Sequence, residues 1–262
     1  MKKKRCQLAT LIGLVACALA LSSCHDSTKS GALTVDSLKY DSVTDAVDCK
    51  LSVTYPVEGE PALLSSVREY LSESLGDLYK GEPGSAKEFT DFYGQCMFDS
   101  LAREASAFEM PSGASYVYYG EVEKTAEGEK FVTFETSVYS YLGGAHGSTV
   151  FTAATFRKSD GRKFGEDMLK DRYSQAFTEA IKSGLMRYFK VQSEMDLESC
   201  LLDIKTYAIP LPQNPPYFTA EGLTFTYQQY EIAPYAAGMP TFTIPFSQAR
   251  PFLIRAAADL IP

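Results

Sequence analysis

Tryptophan is absent from this chain of 262 residues, and histidine occurs twice, as His25 and His146. No pair of cysteines stands at the close spacing of a zinc-binding motif, so we predict no metal site and no cofactor. No Gly-x-Ser-x-Gly elbow is present, which removes the most recognisable pattern of serine hydrolases. Beyond Cys24, no apolar run approaches the roughly 18 residues of a transmembrane helix. These absences favour a globular domain with no recognisable set of catalytic residues.

Basic residues are also scarce. The chain has 25 lysines and arginines against 33 aspartates and glutamates, a formal net charge of −8. Four of the basic residues lie at positions 2 to 5, so the rest of the chain has 21 basic against 33 acidic residues and a net charge of −12. Such a balance argues against nucleic acid, and against anionic lipid, as a partner of the folded part.

The amino terminus has the pattern of an export signal. Basic residues at positions 2 to 5 precede an apolar run from Leu8 to Leu21, which is too short for a comfortable membrane span. Leu21-Ser22-Ser23-Cys24 resembles the lipobox of bacterial lipoproteins, which implies cleavage before Cys24 and acylation of that residue. We therefore predict an envelope protein attached to a membrane through lipid on Cys24. No strongly acidic run follows Cys24, so the periplasmic face is preferred over surface display. The alternative is an ordinary signal peptide in which Cys24 has no role.

Three cysteines remain after the signal and the lipidated residue are set aside: Cys49, Cys96 and Cys200. An oxidising compartment permits one disulfide and one thiol among them, and it equally permits three buried thiols. The spacing does not choose between these arrangements.

Hydrophobic periodicity predicts an α+β fold, an antiparallel sheet with helices packed on one face. We divide the chain into a signal peptide (1–23), a flexible tether rich in Ser, Thr, Asp and Gly (24–41), an N-terminal α+β subdomain (42–112) and a C-terminal domain (113–262). A capping box at Ser85 and Glu88 marks the start of one helix. Alternating residues between Val117 and Arg157 predict a meander of three strands.

One segment could carry chemistry, the stretch Tyr139-Ser140-Tyr141-Leu142-Gly143-Gly144-Ala145-His146-Gly147. Glycines around a histidine let the backbone adopt positive φ and bring amide groups close to a ligand. His146 could act as a general base for Ser140 or Ser148. The simpler interpretation is a wide turn between two strands, in which the imidazole binds a backbone carbonyl, and we predict no catalytic residue here.

This turn and a second motif resemble a known family. The turn precedes an aromatic strand and the sequence Ser159-Asp160-Gly161-Arg162-Lys163, and the second motif runs from Tyr230 to Gly238 before Phe242-Thr243-Ile244-Pro245. In this order the motifs are similar to the extracytoplasmic domain of the anti-sigma factor RsiV, related to a domain beside the catalytic domain of the deacetylase PdaC. The resemblance implies a non-enzymatic α+β domain that binds or senses something at the cell wall. We expect no sigma-factor partner, because no cytoplasmic segment or transmembrane helix is apparent.

The second motif predicts a compact loop, stiffened by Pro234 and released by Gly238. Its tyrosines pin the loop to the sheet, or they form a recognition edge together with the first turn. The candidate binding residues are Tyr139, Tyr141, Gly143, Gly144, His146, Gly147, Tyr230, Tyr235 and Gly238.

The function favoured by these observations is a lipid-anchored envelope protein with a non-catalytic binding or sensing domain. Its ligand would be peptidoglycan or a cell-wall-acting protein such as a hydrolase. Two alternatives are an envelope hydrolase that uses His146 and a structural subunit of an envelope complex.

Overall fold

A computed structural model describes residues 33–108, 110 and 113–262. The predicted signal peptide, Cys24 and the first part of the tether lie outside these residues. Within them, no helix combines the length and the apolar character needed to cross a bilayer. The strands are β1 Thr34–Val43, β2 Val47–Glu58, β3 Tyr116–Glu127, β4 Phe131–Tyr141, β5 Ser148–Arg157, β6 Lys163–Phe164, β7 Tyr217–Phe218, β8 Gly222–Thr226 and β9 Thr241–Pro245. The helices are α1 Pro61–Ser74, α2 Ala86–Ala107, α3 Gln175–Phe189, α4 Glu194–Cys200, α5 Phe246–Ala249 and α6 Arg255–Ala258.

Strand β1 occupies residues 34–41 of the predicted tether. It pairs antiparallel with β2, with Leu38 opposite Val53 and Tyr40 opposite Leu51. The prediction of a flexible segment is therefore wrong from residue 34 to residue 41. Leu38 and Tyr40 pack on the hydrophobic core from one face of this edge strand, while its other residues are largely polar. A strand with so little apolar content has the composition of a linker, and pairing with β2 gives it order.

The first sheet has six strands in the order β1-β2-β3-β4-β5-β6. Four of its neighbouring pairs are antiparallel, as predicted, but β2 and β3 run parallel. Helices α1 and α2 connect these two strands, and a connection of that length carries the chain back to the starting end of the sheet. The predicted boundary between residues 112 and 113 consequently separates two neighbouring strands of one sheet.

Helices α1 and α2 cover one face of this sheet. Val67 and Leu71 of α1 are fully buried, and they share a core with Phe134 of β4 and Phe156 of β5. The predicted capping box of α2 is confirmed at its first half, since the Ser85 hydroxyl accepts a hydrogen bond from the backbone N–H of Glu88 at 3.1 Å. The predicted arrangement of helices on one face of the sheet is confirmed.

A second sheet, β7-β8-β9, covers part of the opposite face. The Phe218 ring packs edge-on against Phe131 of β4 at 5.4 Å between centroids. The backbone N–H of Phe218 donates to the Thr155 hydroxyl of β5 at 2.8 Å. Helix α3 packs on the outside of β9, where Gly184 allows close approach of the Phe242 ring. The second sheet leaves the face of β1 to β3 on this side uncovered, and this open face borders the site described next.

Candidate functional site

The two glycine-rich segments meet at one end of the first sheet. The connection from β4 to β5 turns at Gly143 and Gly144, with φ of +98° and +95°. The loop between β8 and β9 holds Tyr230 at φ +65° and leaves through Gly238 at φ +70°. A bulky residue such as tyrosine rarely adopts a positive φ, so the surroundings must impose this conformation on Tyr230.

Three rings form the contact between these segments. The His146 imidazole stacks on the Tyr235 ring, with centroids 3.8 Å apart and planes inclined by 20°. The Tyr230 ring lies 5.7 Å from that of Tyr235 and 6.2 Å from the imidazole. Tyr230 nevertheless keeps 54% of its surface exposed. The cluster is therefore packed internally and still offers ring edges and faces to solvent.

Hydrogen bonds indicate which nitrogen of the His146 imidazole carries the proton. The Nδ1 atom of His146 lies 2.9 Å from the carbonyl oxygen of Gly147, which only accepts, so Nδ1 carries a proton. In the neutral ring Nε2 is then the acceptor, and the Tyr230 hydroxyl stands 3.3 Å from it. The Tyr235 hydroxyl donates to the same Gly147 carbonyl at 3.0 Å. The Nδ1 atom thus bonds a backbone carbonyl of its own turn, as in the turn-stabilising interpretation, and only Nε2 contacts the other loop.

A second aromatic pair extends this cluster across the sheet. Gly147 is buried against Tyr139, and a Cβ at this position would stand 2.4 Å from the tyrosine ring. Tyr139 in turn stacks with Tyr119 on β3, with centroids 6.0 Å apart and planes inclined by 26°. We call the five rings of Tyr119, Tyr139, His146, Tyr230 and Tyr235 the aromatic strip. It runs from the open sheet face to the loop between β8 and β9.

Charged groups border the strip at Tyr119. The Tyr119 hydroxyl donates to the Asp48 carboxylate, and the Lys50 ammonium lies 5.0 Å above the Tyr119 ring. The Asp48 carboxylate also pairs with Lys50 at 2.9 Å. Burial pushes the pKa of Asp48 upward, but these hydrogen bonds outweigh it and hold the pKa below its usual value. The carboxylate therefore remains ionised beside the rings at neutral pH.

The open sheet face forms a shallow groove next to this end of the strip. Its volume is about 630 Å³, and its lining includes Lys39, Ser52 and Glu121 beside Tyr119 and Tyr139. Carboxylates continue along the same face. Burial and the neighbouring Glu123 raise the pKa of Glu135, and burial and Glu121 raise that of Glu123. The groove thus joins flat aromatic surface to hydrogen-bonding groups of both charges.

The structure brings some of the predicted binding residues together and gives others a supporting role. Tyr139, His146, Gly147, Tyr230 and Tyr235 form one continuous cluster. The Tyr141 hydroxyl donates to the Gly144 carbonyl at 3.0 Å and so closes its own turn. Gly143 and Gly238 permit the sharp bends. Whether any of them binds a ligand stays a prediction.

Sequence reasoning missed Tyr119, Asp48 and Lys50. Asp48 and Lys50 are two residues apart on β2, so their side chains lie on the same face of the sheet. The register pairs Lys50 with Tyr119 of β3, which places Tyr119 on that face too. The register arises from the parallel β2–β3 pairing, which the sequence pattern did not reveal. That pairing explains why the residues were missed.

The potential metal ligands and the cysteines can be located within the described residues. No group of three or more His, Cys, Asp or Glu residues within 33–108, 110 and 113–262 is arranged to hold a metal ion. Cys49, Cys96 and Cys200 are free thiols, and of the three only Cys49 is buried. Burial raises the pKa of the Cys49 thiol to about 11, so it remains protonated and unreactive at neutral pH.

Part of the chain is similar to known proteins. A family model described as "Protein of unknown function (DUF3298)" matches residues 166–247, which include α3, the second sheet and the Tyr235 loop. A DUF3298 family protein from Bacteroides fragilis NCTC 9343 has a solved structure that superimposes with a TM-score of 0.66 at 24% identity, over 86% of this chain and 95% of that chain. A second, from Pseudomonas aeruginosa PAO1, gives a TM-score of 0.61 at 17% identity, over 87% of this chain and 97% of that chain.

A search of curated proteins found no match to this chain. The likeness to the two solved structures concerns the fold, and the family description names no activity. The match and the fold are consistent with the resemblance to the RsiV and PdaC type of domain. Residues 166–247 of this chain therefore match the DUF3298 family model, and the chain shares the fold of two solved DUF3298 family proteins.

Proposed function

We propose that this protein is a lipid-anchored protein of the cell envelope whose folded part binds peptidoglycan without transforming it. The observation that carries the binding proposal is the aromatic strip beside an open groove. Sugar rings have apolar faces and hydroxyl edges, and they suit flat amphipathic rings next to hydrogen-bonding groups. Tyr119 provides a flat ring, and Asp48 and Lys50, which both contact Tyr119, provide hydrogen-bonding groups.

Two further features support this choice. Tyr230 is held at a positive φ with more than half of the residue exposed, and strained backbone conformations are concentrated at functional sites. The net negative charge of the chain disfavours polyanionic ligands, whereas peptidoglycan glycan strands are not polyanions. A wall-acting protein such as a hydrolase remains an alternative ligand.

Binding is tested with purified sacculi and the full-length protein in detergent. We expect Tyr119→Ala and Tyr230→Ala each to weaken retention about fivefold to tenfold, because each removes a ring contact of roughly 1 kcal/mol. Tyr173→Ala and Tyr207→Ala are matched controls, since these tyrosines are 85% and 81% exposed and contribute no ring to the strip. Equal retention of all four variants would contradict the proposed site.

The anchor is tested separately by metabolic labelling with palmitate. We expect labelled wild-type protein in the membrane fraction, and no label on a Cys24→Ser variant, because the acyl chains attach at that residue. Burial of acyl methylenes, about 0.8 kcal/mol each, is what holds such a protein on the bilayer. Label that persists in Cys24→Ser would show that the lipid is attached elsewhere, and unlabelled wild type would remove the anchor altogether.

A further inference from the structure

The two edges of the first sheet differ in how their backbone groups are covered. Along β5, the Gln228 side-chain amide accepts from the N–H of Phe151 at 3.1 Å and donates to its carbonyl at 2.6 Å, the two bonds that an antiparallel strand would form. At the opposite edge, no described strand or side chain takes this place along the ten residues of β1. An uncovered strand edge is a template for pairing with another chain.

The register of the β1–β2 pair shows which backbone groups of β1 point away from the sheet. Directly after β1, the N–H of Thr44 donates to the Val47 carbonyl at 2.8 Å, so these residues are a hydrogen-bonded pair. Such pairs alternate with non-hydrogen-bonded pairs in an antiparallel ladder, so the even-numbered residues of β1 bond to β2. The N–H and C=O groups of the odd-numbered residues from 37 to 43 therefore point outward.

The side chains of β1 alternate between the two faces of the sheet. Leu38 and Tyr40 pack on the core, and the Tyr40 hydroxyl donates to Gln95 of α2 at 3.2 Å. Lys39 and Asp41 line the groove on the open face, and both residues are exposed. Neither of these two side chains forms an ion pair with a described residue. The free edge thus presents one unpaired charge of each sign, two residues apart.

We infer that β1 pairs antiparallel with β1 of a second copy of this chain, about a twofold axis at Tyr40. In this register Lys39 lies opposite Asp41 of the second copy, and Asp41 lies opposite Lys39 of the second copy. The outward groups of residues 37 to 43 then form about eight backbone hydrogen bonds between the copies. Opposite charges directly across a strand pair stabilise it, and the symmetry forms this charge pair twice.

The charges favour this register over its neighbours. Sliding one copy by two residues in one direction places Lys39 opposite Lys39 of the second copy, and sliding it in the other direction places Asp41 opposite Asp41. Like charges directly opposite each other are destabilising. A slide of one residue would set outward backbone groups against groups that already bond to β2. Of these registers, only the one centred on Tyr40 matches both charge and backbone.

Helix α2 leaves room for the second copy. It lies mainly over β2, next to the edge strand. Since neighbouring strands are about 4.8 Å apart, β2 and the helix over it would stand about 14 Å from their counterparts in the second copy. This separation exceeds the roughly 8–10 Å at which helices pack, so the two helices do not clash. The half-buried Tyr40 rings of both copies lie in the gap at the axis.

The symmetry has a consequence for the open groove. The twofold axis is perpendicular to the paired strands and to the sheet, so the grooves of both copies face the same side. Two equivalent sites on one surface suit a long polymer, because binding at the first raises the effective concentration at the second. This consequence rests on the proposed glycan binding, whereas the pairing of β1 does not.

Sedimentation equilibrium of the full-length protein in density-matched detergent tests the pairing. We expect a reversible dimer whose fraction rises between about 1 and 300 µM, since one strand pair buries less area than an obligate interface. Lys39→Asp and Asp41→Lys should each weaken dimerisation about tenfold, because each places like charges opposite each other twice. The double variant exchanges the charges and restores both pairs, so its dimerisation should return to within about threefold of wild type.

Two further variants test the backbone pairing and the specificity of the charge effect. Ser37→Pro removes an outward N–H and leaves the bonds to β2 intact, so it should weaken dimerisation without changing the circular dichroism spectrum. Arg255→Asp changes the charge by the same amount on a side chain of α6 that is 95% exposed, and it should sediment as wild type.

Three results would overturn the inference. The first is wild type that stays monomeric at the highest concentration, which would leave the edge to a strand of another protein. The second is dimerisation that the single charge reversals do not weaken or that the double variant does not restore. The third is an equal loss in Arg255→Asp. Because no glycan is present in this measurement, its outcome is separate from sacculus retention.

Discussion

Replacement of Phe218 by alanine is expected to lower the free energy of unfolding by about 3–5 kcal/mol. The Phe218 side chain is fully buried, and it lies between Phe131 of the first sheet and Phe246 after β9. Truncation leaves a cavity at the junction of the two sheets, where the polar bond from Phe218 to Thr155 limits collapse of the backbone. Urea denaturation followed by far-ultraviolet circular dichroism measures the loss.

Two control variants distinguish the loss of buried packing at Phe218 from the mere removal of a phenyl ring. Phe218→Leu keeps most of the volume and should cost less than about 1.5 kcal/mol. Phe108→Ala removes the same ring from a position that is 66% exposed and should change stability by less than about 0.5 kcal/mol. A loss below about 1.5 kcal/mol for Phe218→Ala would show that the sheets are not joined through this ring.

Replacement of Glu127 by alanine is expected to cost about 3 kcal/mol. The Glu127 carboxylate pairs with the Lys158 ammonium at 2.5 Å and with Lys124 at 2.6 Å. The Lys158 side chain is 7% exposed, so removal of the carboxylate leaves a buried charge without its partner. Glu127→Gln should cost less than Glu127→Ala, because the amide oxygen still accepts a hydrogen bond from Lys158.

The pH dependence of this effect has a definite sign. Burial acts to raise the pKa of Glu127, but the ammonium groups of Lys124 and Lys158 outweigh it and hold the pKa below its usual value. A carboxyl with a lowered folded-state pKa stabilises the fold above its unfolded pKa of about 4.3, and this stabilisation is lost as the pH falls through the folded value. The difference between wild type and Glu127→Ala should therefore be full at pH 7 and should shrink on acidification below about pH 4.

A surface pair provides the comparison. Glu166 and Arg172 form an ion pair at 2.7 Å in which both side chains are more than a third exposed. Glu166→Ala should cost less than about 1 kcal/mol, since solvent screens the pair and solvates the remaining charge. If Glu127→Ala and Glu166→Ala lowered the free energy of unfolding by similar amounts in parallel urea titrations, the burial of Lys158 would not be the cause of the larger expected loss.

Much of the fold follows from local patterns. The capping box at Ser85, the spacing of apolar residues along α3 and the alternation in β4 each reflect interactions between residues close in sequence. The chain turns between β5 and β6 at Gly161, whose φ of +70° is a conformation that glycine adopts without steric cost. The α+β class and the placement of helices on one face of the sheet were accessible for this reason.

Some features of the candidate site are also visible in the sequence, and others depend on contacts between distant residues. The glycines around His146 and the loop from Tyr230 to Gly238 are recognisable in sequence, because glycine and proline restrict the backbone locally. The contact of His146 with Tyr235 joins residues 89 positions apart and was only a hypothesis before the structure. Nothing in the sequence marks Gln228 as a substitute for a strand, although its side-chain amide bonds both the N–H and the carbonyl of Phe151 in β5.

Local chain chemistry was sufficient to establish most of the secondary structure, the fold class and the existence of the two glycine-containing loops. It did not reveal the parallel pairing of β2 with β3, the strand β1 inside a polar segment or the separate second sheet. These features depend on which distant surfaces bury each other, and an edge strand or a parallel pair has no periodicity that distinguishes it from its alternatives. The aromatic strip exists because that long-range packing places Tyr119 beside Tyr139 and His146 on Tyr235.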